Sequence, residues 1–143
     1  MGGVQPESIV AQQLRRRLAE IPPAGLVAVY LFGSYAEARV HRESDLDVGV
    51  LLRWDVYPSA RQRFEVRLRL AGELAVERKP ADVVVLNDAP PTLAARIVTT
   101  GQRLYCADAA AEHAFRRDMQ LRAADLVPFL RRLARVKLEA LRR

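Results

Sequence analysis

Cysteine is almost absent. Cys106 stands alone among 143 residues, which excludes an internal disulfide, fits a reducing compartment and leaves a small apolar filler as its expected role. Histidine is nearly as scarce: His41 and His113 lie far apart without metal-ligand spacing, which argues against a zinc centre. Aromatic residues make up 6% of the chain and none follows Phe129, so the basic C-terminal region lacks the stacking side chains that RNA recognition ordinarily uses. No apolar stretch approaches the roughly 18 residues of a membrane span. The opening Met1-Gly2-Gly3-Val4-Gln5-Pro6 lacks the basic-then-apolar order of a secretory signal, and the expected location is therefore the cytoplasm.

What is present is half apolar and 28% charged, with a net charge of +6. That composition suits one globular domain over residues 1–143, able to bury about two thirds of its unfolded surface. The continuous apolar run Leu26 to Phe32 reads as a buried strand, and it stops abruptly at Gly33-Ser34. Gly33 lets backbone approach a ligand closely, while Ser34 can cap a short helix through Ala36, Glu37 and Ala38 whose free amides favour an anion such as a triphosphate.

Ten residues separate Ser34 from Asp45-Leu46-Asp47, at the head of a second strand running from Asp47 to Leu52. A spacing of two along a strand puts both carboxylates on one face, about 7 Å apart at Cα. Magnesium explains why these residues are aspartates, because it is a hard octahedral cation that binds one or two carboxylates together with substrate phosphates. A pair of such ions can clamp the attacking and leaving oxygens of an in-line displacement at phosphorus. Asp82, at the head of the apolar run Ala81 to Leu86, is the candidate for a third acid that helps hold metal and draws the proton from the incoming hydroxyl. Asp88, in Asn87-Asp88-Ala89-Pro90-Pro91, reads instead as a turn residue.

Gly33, Ser34, Asp45 and Asp47, with Ser44 directly before the first aspartate, make the chain resemble the minimal nucleotidyltransferases of the DNA polymerase beta superfamily, over roughly Leu26 to Tyr105. Asp82 falls where that family's third strand carries its remaining carboxylate. The position after Gly-Ser, often arginine in the family, is Tyr35 here, which leaves Arg39 or Arg42 as the alternative phosphate contact. The resemblance implies an α/β (α+β) nucleotidyltransferase fold: a small mixed sheet with helices on one face, a catalytic core over about 24–106 and C-terminal helices over about 109–143. It also implies Mg2+, as two ions, ATP as substrate, Asp45, Asp47 and Asp82 as metal-binding and catalytic residues, and Gly33 and Ser34 as nucleotide contacts. Members this short are typically antitoxins that attach AMP to a tyrosine of a HEPN-domain ribonuclease toxin. A binding-only antitoxin and a small-molecule, aminoglycoside-type nucleotidyltransferase are the alternatives, though the latter usually carries an added helical domain, and self-association could supply such a missing wall.

The remaining periodicity places helices around these strands. Pro6 and Glu7 open a first helix to about Glu20, with Ile9, Leu14 and Leu18 on its apolar side, and Pro22-Pro23 ends it. Tyr57-Pro58-Ser59 leads into a second helix to about Arg78, whose expected core stripe is Phe64, Leu68, Ala71 and Ala75, widened by Leu70 and Leu74. Pro90 and Pro91 start a third, ended by Gly101, before a short strand from Arg103 to Cys106. From Ala109 the chain is expected to be helical in two pieces, divided at Pro128. Arg131, Arg132, Arg135, Lys137, Arg142 and Arg143 crowd the last of these against Glu139. Their expected role is a solvated face, with Leu133, Val136, Leu138 and Leu141 packing inward or on a partner, and nucleic-acid binding is the weaker reading.

Overall fold

The computed structural model of the protein describes residues 8–33 and 46–142. Strand β1 (Leu26–Phe32) is the spine, paired antiparallel to β2 (Leu46–Leu52) on one side and to β4 (Gln102–Cys106) on the other. β3 (Ala81–Val85) pairs parallel to β2, giving the order β3-β2-β1-β4 and a mixed sheet as expected.

The sheet is covered on both faces, which corrects the expectation of helices on one face only. Helices α1 (Ile9–Glu20) and α2 (Ala60–Glu73) cover the face formed by Val29, Leu31, Val48, Val50 and Val83. Helices α3 (Pro91–Thr100) and α4 (Ala109–Leu141) cover the opposite face, where Ala28, Tyr30 and Leu51 meet Ala94, Ile97, Val98 and Met119. Sequence carries the reason: β1 is apolar at successive positions rather than alternate ones, as a strand buried on both sides must be.

Local chemistry sets the helix ends. Ser8 caps α1 by accepting from the Ala11 amide at 3.1 Å, and Ser59 and Gln62 form a reciprocal capping box on α2. Pro91 sits in the first turn of α3, where its missing N–H costs nothing, and the Gly101 amide donates to the Ile97 carbonyl at 2.8 Å.

Three helical expectations are corrected. In α1, Ile9 is exposed and Ala11 takes its place beside Leu14 and Leu18. In α2, Leu70 and Leu74 are buried as expected, but Arg63 and Val66 join them while Phe64 and Leu68 are 53% and 60% exposed, and the helix ends at Glu73 rather than near Arg78. Arg63 fixes that rotation: its guanidinium forks onto both Asp88 carboxylate oxygens at 2.9 Å, donates to the Tyr57 carbonyl and stacks 4.6 Å from the Trp54 ring centre. Such a bidentate, stacked arginine satisfies its charge while buried. Finally, α4 is one 33-residue helix that runs through Pro128. Ala124, whose carbonyl loses its i+4 donor there, is exposed, so water can take the vacated bond. Beyond Leu126 every described side chain of α4 is exposed, Leu133, Val136, Leu138 and Leu141 included; none of those four packs inward.

Candidate active site

Phe32 on β1 pairs with Asp47 on β2, and Asp47 pairs with Asp82 on β3. Residues paired across strands project to the same side of a sheet and lie about 4.8 Å apart between neighbouring strands, so Asp47 and Asp82 form an adjacent carboxylate pair on one face. That face is the one covered by α3 and α4, but the cover stops short of the acids. α3 presses on β2 at Gly49, where an added Cβ would come within 2.9 Å of the Ile97 side chain. Two residues away Asp47 is half-buried and Asp82 is exposed. Among the described residues, both acids therefore lie at the end of this face that α3 and α4 leave uncovered.

Gly33 completes this row. Its φ is +75°, a left-handed conformation that glycine adopts without penalty, and a Cβ at this position would collide with the Asp47 carboxylate. The backbone at the end of β1 thus approaches the Asp47 side chain as closely as backbone can. The structure brings together Gly33, Asp47 and Asp82 of the expected site. Ser34 and Asp45 lie outside the described residues, as do Ser44, Tyr35, Arg39 and Arg42.

The donor set suits a hard divalent cation. Two carboxylates in register on one face, with a backbone turn against one of them, are the oxygen donors that such a cation takes together with phosphate oxygens. Of the described residues, Asp47 and Asp82 could hold such an ion.

Sequence reasoning missed a polar cluster on the same face. Tyr30, fully buried two residues before Phe32, donates its hydroxyl to Glu112 of α4. Glu112 is 4% exposed and also accepts from Arg116 Nη2 at 2.7 Å and Nε at 3.1 Å, while Arg103 Nη1 lies 3.6 Å from its second oxygen. Burial pushes the Tyr30 hydroxyl up to about 12, and the bond to Glu112 adds to the shift. Burial also opposes ionisation of Glu112, but the Tyr30 hydroxyl, Arg116 and Arg103 outweigh it and hold the carboxyl below its ordinary value. The cluster pins the first half of α4 to the sheet beside the acids. Its only sequence signal is a tyrosine in an apolar strand, which when buried requires a partner. Asp88 ends the 3₁₀ turn Leu86–Asp88 and binds Arg63, and Trp54 is the platform beneath that guanidinium.

Comparisons with known proteins identify the family and the fold. Residues 20–110 match the family described as "Polymerase beta, Nucleotidyltransferase". A curated relative, "Protein adenylyltransferase MntA" of Shewanella oneidensis, is 36% identical over 80 residues, which cover 56% of this chain and 54% of the relative. The match thus spans about half the length of that relative. Among solved structures, a toxin-antitoxin crystal structure with AMP-PNP superposes with a TM-score of 0.60 at 24% identity, covering 93% of this chain and 98% of that one. A tri-AMPylated Shewanella oneidensis HEPN toxin in complex with MNT antitoxin gives a TM-score of 0.55 at 22% identity, covering 96% of this chain and 100% of that one. At such identities the structures attest the shared fold. The family match covers well over half of the chain and includes Gly33, Asp47 and Asp82, and the protein belongs to the Polymerase beta, Nucleotidyltransferase family.

Proposed function

We propose that the protein is a Mg2+-dependent adenylyltransferase that moves AMP from ATP to a tyrosine hydroxyl of a HEPN-domain ribonuclease toxin and thereby acts as its antitoxin. The observation that carries this reading is the row Gly33, Asp47, Asp82, two acids in register beside a turn that only glycine fits. In this reading Gly33 and Ser34 hold the triphosphate, Asp45 and Asp47 anchor the metal, and Asp82 faces the acceptor. Bound divalent ions would neutralise phosphate charge and lower the acceptor hydroxyl's pKa. The acceptor oxygen attacks the α-phosphorus, the bond to the bridging oxygen of the β-phosphate breaks, and pyrophosphate departs. The hydroxyl proton passes to Asp82 and on to solvent.

The chemistry named for the relatives supports the choice of nucleotide and acceptor: one is a protein adenylyltransferase, another is an MNT antitoxin complexed with an AMPylated HEPN toxin. A catalytic core over about 24–106 with a helical arm over about 109–143, forming a single domain over 1–143, fits the same reading. So does a cytoplasmic site of action; among the described residues no helix is long and apolar enough to cross a membrane. The second half of α4, with Phe129, Leu130 and Leu133 exposed among arginines, favours a protein partner and keeps one other reading in play, masking of the toxin by contact alone.

Incubation with labelled ATP, Mg2+ and the toxin purified apart from this protein separates these readings. Label on the toxin with the wild type, lost in an Asp45→Asn/Asp47→Asn double variant together with neutralisation, supports catalysis. Neutralisation by the double variant without label supports masking.

A further inference from the structure

A groove of about 590 Å3 lies not over the acids but along the outer edge of β3, between α2 and the start of α3. Its apolar lining includes Phe64, Val84, Pro90 and Leu93, and its α2 wall carries Arg61 and Arg67. Phe64 and Leu93 are 53% and 37% exposed, an unusual outlay of large apolar surface beside one strand. Among the described residues β3 is an edge strand, with no strand paired to the outward-facing alternate backbone N–H and C=O groups along about 16 Å of it. Ala81–Val85 contains no proline, lysine or glycine to discourage pairing.

The charges select the occupant. Asp88, the one acid of the lining, is engaged by Arg63 through both oxygens. Arg67 has no ion pair among the described residues, and Arg61 makes only an exposed i,i+4 contact with Glu65 at 3.3 Å. A second copy of this chain, paired edge to edge, would bring the same arginines into opposition. An extended acidic segment would satisfy backbone, apolar lining and charge together.

We infer that this groove seats an extended acidic segment of the acceptor protein, which adds to β3 as a further strand and delivers its target hydroxyl to the face bearing Asp82. The inference rests on the adenylyl-transfer reading. Asp82 belongs to the same strand, two residues before Val84. A residue of the added strand opposite Asp82 stands one strand spacing, about 4.8 Å, from it and projects to the same side. The groove is then the acceptor's docking site and the acids are the nucleotide's.

The test compares the intact complex of this protein and the co-expressed HEPN-domain toxin with the free protein. Amide hydrogen exchange across Val83–Val85 is expected to slow at least tenfold in the complex. Phe64→Glu and Arg67→Glu, both exposed positions that leave the core intact, should raise the KM for toxin at least tenfold while the KM for ATP stays within twofold. Leu93→Glu, on the opposite wall, provides an independent variant should either fail to fold. Label transfer with unchanged exchange at β3 and unchanged toxin KM overturns the groove while leaving the adenylyltransferase standing. Protection of β3 without any label transfer retains the groove as a docking surface and removes the adenylyltransferase reading instead. Variants that only dissociate a homodimer, with toxin binding intact, would assign the groove to self-association and overturn the inference.

Discussion

Replacing Gly33 by alanine should damage catalysis far more than stability, and a second glycine supplies the control. At φ +75° an alanine costs about 1 to 2 kcal/mol of backbone strain. For a chain of this size that lowers Tm by about 3 to 8 °C. The added methyl also occupies the place of the Asp47 carboxylate, which must move by about 1 Å, and misplacement on that scale costs on the order of 100-fold in rate. Gly25 has almost the same dihedral, φ +73°, and an added Cβ there would meet Val56 and Tyr57. It lies at the opposite end of β1, about 26 Å from Gly33. Gly25→Ala should therefore lose comparable or greater stability and keep its kcat. The assay is AMP transfer from labelled ATP at a temperature well below both melting points, read beside thermal unfolding of each variant. Equal loss of kcat in the two variants, or full activity in Gly33→Ala, would refute the close approach of this turn to a working Asp47.

Further consequences concern the supports of the site. The Tyr30 hydroxyl, ordinarily near 10, is raised to about 12 in the fold, so it contributes stability fully below pH 10 that is lost as pH rises from 10 to about 12; urea unfolding should show the wild type losing about 3 kcal/mol more than Tyr30→Phe over that interval. Glu112 has the opposite sign: its folded pKa lies below the ordinary value, so its contribution is present above that value and disappears on acidification, and Glu112→Gln should flatten the acid limb of the stability curve. Arg63→Ala removes a bidentate pair and a ring stack from the core and is expected to cost about 3 kcal/mol, seen as a Tm drop of about 6 to 12 °C with little change in the KM for ATP. Leu133→Ala, at a position 43% exposed, should shift stability by less than about 0.5 kcal/mol yet weaken toxin binding measurably by calorimetry; a loss of several kcal/mol in the free protein would mean that α4 packs there after all.

The strands and the acids were legible because each depends on local sequence. An apolar run ending at Gly33 and a run opening on Asp47 announce strand ends without reference to anything distant. Pro91 and Gly101 bracket α3 for the same reason. The rotation of α2 was not legible. Two neighbouring stripes compete beside the buried Leu70, one through Phe64 and Leu68 and one through Arg63 and Val66, and hydrophobicity favours the first. The second wins because Asp88, 25 residues away, and Trp54 turn a buried arginine into a satisfied one. The continuity of α4 through Pro128 likewise depends on exposure, which leaves the freed carbonyl to water, and Glu112 is fixed by a tyrosine 82 residues earlier. Two-sided burial was written in β1 itself, whose lack of alternation requires helices on both faces.

The account turns on Asp47 and Asp82 sharing a divalent ion with a nucleotide beside Gly33. A crystal grown with Mn2+ and a non-hydrolysable ATP analogue tests that most directly, through the anomalous signal of the metal. The account predicts a manganese peak bonded to carboxylate oxygens of both aspartates, with the triphosphate against the Gly33 turn. Nucleotide and metal bound elsewhere, with Asp47 and Asp82 unliganded at saturating concentrations, would contradict it.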